Sequence, residues 1–88
     1  MREHKREIIK VTKIENGHYA VVAKDSEGVE YTYEIWRHQK YIGNRLVTRW
    51  RTEKKVDGRV FCCSFEDAWD TLREAKHGIR SDKLGMTG

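Results

Sequence analysis

Between Val29 and Trp36 apolar and polar residues alternate without a break. Val29, Tyr31, Tyr33 and Ile35 fall on one side; Glu30, Thr32 and Glu34 fall on the other. A period of two marks a half-buried strand. The same reading, less regular, predicts strands over Glu7–Ile14 (EIIKVTKI) and His18–Lys24 (HYAVVAK). Two more follow, RLVTRWRTE from Arg45 and the short RVFCC ending at Cys63. In the first strand, Ile9 and Val11 are expected to face one way and Ile8 and Ile14 the other. In the fourth, Leu46, Thr48 and Trp50 share a face opposite Val47, Arg49 and Arg51. Asn16-Gly17 and Asp57-Gly58 are hairpin signals, and DSEG supplies a turn before Val29. RHQKYIGN, Arg37 to Asn44, reads as a longer loop between the third and fourth strands.

After Cys63 the period changes. Phe65, Ala68, Trp69 and Leu72 are spaced i, i+3, i+4, i+7, the stripe of an amphipathic helix. Ser64 can cap it, with Asp67 completing a capping-box variant. Glu66 and Asp67 suit the positive end of the helix dipole, and Arg73, Lys76 and His77 suit the negative end. Gly78 can close the helix in a left-handed conformation. The expected helix therefore runs from about Phe65 to His77. The predicted fold is α+β: a four- to five-stranded antiparallel meander sheet with one C-terminal amphipathic helix packed on one face. In it Tyr31, Tyr33, Ile35, Leu46 and Trp50 meet Phe65, Trp69 and Leu72. Residues 1–78 form one compact domain, and 79–88 are read as a loose tail.

Composition narrows the function classes. A chain of 88 residues is one domain, and it buries only about two thirds of its unfolded surface. Three Trp, four Tyr and two Phe fill a small core economically. No apolar run approaches the roughly 20 residues that span a bilayer, and MREHKREIIK lacks the apolar segment of a secretory signal. No membrane role is expected. The two cysteines, Cys62 and Cys63, are adjacent, which disfavours a bridge between them. A reducing, cytoplasmic setting fits best.

Little chemistry is encoded. His4, His18, His38 and His77 do not stand at zinc-clip spacing from the cysteines, and neighbouring strand residues point to opposite faces. No metal or cofactor is expected. Glu66, Asp67 and Asp70 read as a solvated helix face. The glycines stand singly at turns and form no phosphate-binding loop. A non-enzymatic protein with no catalytic residues is expected.

Charge, by contrast, is concentrated. From Arg37 to Arg59 the chain carries eight Lys and Arg against Glu53 and Asp57, a net +6, while the whole chain carries +4. IWRHQKYIGNRLVTRWR, Ile35 to Arg51, contains no acid at all. Cross-strand pairing, for instance Glu34 opposite Arg49, accounts for some of these cations. The excess points to a partner bearing negative charge. Arg37, Lys40, Arg45, Arg49, Arg51, Lys54 and Lys55 are the candidate phosphate contacts. Trp36, which has the parity of Glu34, and Tyr41 are the candidate stacking rings.

The strand order followed by RVFCCSFEDAWDTLREAK resembles the arm-type DNA-binding domain of phage integrases. Its F-x-S/T-x-x-E-A junction is matched over Phe61 to Ala68, with Asp67 in place of the usual Glu. That resemblance implies a sheet that reads DNA. TRWRTEKKVDG is similar to WGR-type modules but lacks the glycine after tryptophan. Membership of neither family is claimed. Size and composition also look like those of small accessory proteins of phages and mobile elements.

The leading expectation is a domain that binds DNA or RNA through residues 35–59. The alternative is a protein–protein module that uses the same basic surface to inhibit or modulate a host enzyme or defence complex. A homodimer formed by edge-strand pairing is a third possibility.

Overall fold

The computed structural model describes residues 6–65 and 67–81. Five strands form one antiparallel sheet in chain order: β1 (Glu7–Glu15), β2 (His18–Lys24), β3 (Glu30–Ile42), β4 (Arg45–Val56) and β5 (Arg59–Cys63). One short helix, α1 (Leu72–Arg80), follows. The meander and the α+β class expected from the sequence are both present.

Cross-strand partners define two faces. On the core face Val21 pairs with Tyr33, and Ala23 with Tyr31. Ile35 pairs with Tyr19 on one side and Thr52 on the other. Val21, Ala23, Tyr33 and Ile35 form one fully buried cluster with Ala75 and Ile79 of the helix. Ile8, Tyr19, Tyr31, Trp50, Trp69 and Leu72 pack around it, half-buried. Both edge strands are irregular. β1 breaks register between Ile8 and Lys10 and between Lys13 and Glu15, and β5 breaks it beside Cys62. The first break turns Ile8 and Val11 to the same face, opposite Ala23 and Val21. This corrects the expected pairing of Ile9 with Val11.

The link between β3 and β4 differs most from the sequence reading. The chain continues as strand through residues 37–42 and reverses at Gly43-Asn44. Gly43 takes φ 64°, the positive value that the first position of a II′ turn requires. Because the reversal is tight, the register also moves. Glu34 faces Glu53, and Arg49 faces His38. The expected Glu34–Arg49 pair does not form.

The helix is shorter and begins later than expected. Thr71 is its N-cap, its side-chain oxygen accepting from the Glu74 N–H at 3.1 Å. Ser64 is buried instead within the sheet. Its Oγ accepts from the Thr52 N–H at 2.9 Å, and its own N–H donates to the Thr52 carbonyl at 2.8 Å. Phe65 is 70% exposed and Leu46 is 54% exposed, so neither joins the core. Trp69 lies outside the helix, and its backbone exchanges hydrogen bonds with Trp50. Gly78 is buried inside α1, and Ser81 closes the helix, its N–H donating to the His77 carbonyl. Ile79, assigned to the tail from sequence, belongs to the core. Glu66 and residues 82–88, and with them the rest of the tail assignment, lie outside the described residues.

Candidate nucleic-acid interface

β2 ends at His18, opposite Trp36. The segment after β5 follows the outer edge of β4 as far as Trp50. Beyond these points, among the described residues, β3 and β4 pair only with each other, from His38↔Arg49 to Ile42↔Arg45. Residues 37–49 thus form a two-stranded ribbon at one end of the sheet. The Arg37 N–H anchors its root, donating to the Gly17 carbonyl at 2.7 Å. Gly17 is required there: a Cβ would stand 3.1 Å from the Arg37 side chain.

The ribbon has two unlike faces. Tyr41 and Leu46 are cross-strand partners on one, beside Gln39 and Thr48, whose side chains share a 3.3 Å hydrogen bond. His38, Lys40, Ile42, Arg45, Val47 and Arg49 alternate onto the other. Tyr41 is 73% exposed and Ile42 53%. The sequence reading places Ile42 in a loop and Leu46 in the core, and names neither as a candidate contact. The Gly-Asn dipeptide was the signal that could have revealed the ribbon.

The predicted cations separate into three groups. Arg37 and Arg45 are exposed and form no salt bridge among the described residues; Arg59, at the start of β5, is alike. Lys40 Nζ meets Asp67 Oδ2 at 3.0 Å, and Arg49 Nε meets Asp70 Oδ1 at 3.2 Å. Both carboxylates are well exposed, and the hydrogen bond and charge of Lys40 hold Asp67 below its ordinary value. The remaining three belong to the body of the sheet. Arg51 pairs with Glu53 at 2.8 Å and Lys55 with Glu34 at 3.3 Å. Lys54 lies between the rings of Tyr31 and Phe61, 4.8 and 5.7 Å from their centroids.

Trp36 is half-buried on the face opposite the core. Its ring stacks on His18, with centroids 3.5 Å apart and planes 14° from parallel. Its indole N–H donates to Glu53 Oε1 at 3.2 Å. His18 Nε2 lies 2.6 Å from Glu34 Oε1. Burial pushes the Glu34 carboxyl up, but the bonds from His18 and Lys55 outweigh it and hold it below its ordinary value. This side of the sheet is therefore a closed network, His18–Glu34–Lys55 beside Trp36–Glu53–Arg51. Cys62 is half-buried against the core and Cys63 is exposed.

Among the described residues no helix is long and apolar enough to cross a membrane. No family model matches the chain, and neither a curated protein nor a solved structure matches it.

Proposed function

We propose that this protein is a nucleic-acid-binding module whose contact element is the β3–β4 ribbon. One observation carries the reading: the stretch of chain free of acidic residues contains the stretch that leaves the sheet as a ribbon, paired on neither outer edge among the described residues. Arg37 and Arg45 present guanidinium groups without salt-bridge partners among the described residues. Lys40 and Arg49 meet carboxylates in surface ion pairs, each worth about 0–1 kcal/mol, so a phosphate can take the place of the carboxylate; Arg49 also donates to the Thr48 carbonyl at 3.1 Å. Tyr41 supplies an exposed ring for stacking. Arg51, Lys54, Lys55 and Trp36 serve the sheet rather than the ligand. The proposed interface is thus narrower than the 35–59 region and excludes the sheet face that the integrase resemblance implies.

The test is an anisotropy titration of labelled oligonucleotides at about 50 mM salt, where phosphate contacts are strong. The Arg37→Ala/Arg45→Ala double variant should bind at least tenfold more weakly than the wild type. Absence of binding by the wild type overturns the proposal.

The exposed Tyr41–Leu46 pair, with Ile42 beside it, favours a second reading. Aromatic and aliphatic side chains flanked by arginine also compose protein hot spots. An acidic partner protein would be retained from nuclease-treated lysate at fixed stoichiometry, with no affinity for oligonucleotides.

A further inference from the structure

We infer that the ligand is B-form duplex DNA and that the ribbon enters its major groove, with Arg45 as the base-reading side chain. This rests on the nucleic-acid reading above and makes it specific. Three observations select the duplex.

The first is shape. Among the described residues, 38–42 and 45–49 form a ribbon of two strands only, with side chains on both faces and strands about 4.8 Å apart. The B-form major groove, about 12 Å wide, admits such a ribbon. The major groove of A-form RNA is too deep and narrow for side chains to read.

The second is the scarcity of stacking surfaces. Single-strand binders place successive bases on successive aromatic rings. Here Trp36 is occupied by His18 on its face and Glu53 at its N–H. Tyr41 is the only Trp, Tyr or Phe in residues 37–49, and a single ring does not make a platform.

The third is the chemistry of the tip. Asn44 and Arg45 stand at the reversal, both exposed, with Ile42 directly opposite Arg45. Arginine forms a bidentate pair with guanine O6 and N7, asparagine does so with adenine N6 and N7, and an aliphatic group meets the thymine methyl. Arg37, Lys40 and Arg49 lie further back, where the flanking phosphates would run. Phosphate contacts thus sit at the root of the ribbon and base contacts at its tip, the usual division between positioning and reading.

The experiment compares four probes of one sequence, each about 20 base pairs or nucleotides long. They are a DNA duplex, an RNA duplex, single-stranded DNA, and a DNA duplex whose cytosines carry a glucosylated hydroxymethyl group that fills the major groove. The unmodified DNA duplex should bind at least tenfold more tightly than the other three. Netropsin, which occupies the minor groove, should not displace the protein. Arg45→Ala, at an exposed turn position, should keep the wild-type circular dichroism spectrum. It should also lose the discrimination between duplexes containing guanine and those containing 7-deazaguanine. Equal binding to RNA, to single strands or to glucosylated DNA overturns the groove assignment and leaves the ribbon reading in place. Displacement by netropsin has the same consequence. Failure to bind any of the four overturns both.

Discussion

Glu34 and Glu53 stand directly opposite each other on β3 and β4. Two like charges at facing positions destabilise a sheet, so each must be compensated. His18 and Lys55 bracket Glu34, while Arg51 and the Trp36 indole bracket Glu53. Glu53 is buried, and removing it strands Arg51 and the indole N–H. Glu53→Ala should therefore cost about 1–3 kcal/mol in urea unfolding. A Trp36 environment unchanged by the substitution would show that the network does not hold the ring.

The same network sets an acid limit. The Glu34 value lies below its ordinary 4.5 in the folded protein. Its stabilisation is therefore complete above about pH 4.5 and is lost as pH falls through the lower, folded value. Unfolding curves between about pH 5 and pH 2 should show stability dropping in the wild type. Glu34→Gln should drop less steeply over that interval. An equally steep loss in the variant would remove Glu34 from the explanation.

Asp67 and Asp70 hold two ribbon cations from the side. Neutralising both as Asp67→Asn/Asp70→Asn should tighten binding to a DNA duplex by about tenfold, because the carboxylates compete with phosphate and repel it. Stability should change by less than about 1 kcal/mol. Unchanged or weaker binding would place Lys40 and Arg49 outside the interface.

Thr71 takes the N-cap role expected of Ser64, and Ser64 instead binds the Thr52 backbone. Ser64→Ala should expose the Thr52 N–H to faster hydrogen exchange and cost about 1–3 kcal/mol, since that donor is buried. Thr71→Ala should cost about 1 kcal/mol, the usual loss for an N-cap, and leave the Thr52 amide protected. The reverse pattern would restore Ser64 as the helix cap.

These differences show what was legible in the chain. The strands read correctly where one face is buried, as in Tyr31, Tyr33 and Ile35, because burial writes a period of two. The ribbon has no fully buried face, so residues 37–42 carry no such period and only the Gly43-Asn44 turn betrays them. The helix start was misread because Phe65, Ala68, Trp69 and Leu72 have helical spacing. The free edge of β4 captured that segment instead, through the Thr52 and Trp50 backbone. Thr71 and Glu74 form the true cap, visible as T-x-x-E: the Glu74 N–H donates to Thr71 Oγ1, and the Thr71 hydroxyl donates to Glu74 Oε1. Charge concentration was legible as well, but not its division: Lys55 finds Glu34 only through a register that the turn length decides, whereas Arg51 and Glu53 pair along one strand.

The central claim is that the ribbon's cations meet phosphates. Its most direct test is the salt dependence of duplex binding by the wild type and by Arg37→Ala/Arg45→Ala. With Arg37, Lys40 and Arg49 on phosphates, log K should fall against log salt with a slope of about −3, and of about −2 in the variant, which loses Arg37 from the backbone and Arg45 from the bases. An identical slope in the two proteins would contradict it.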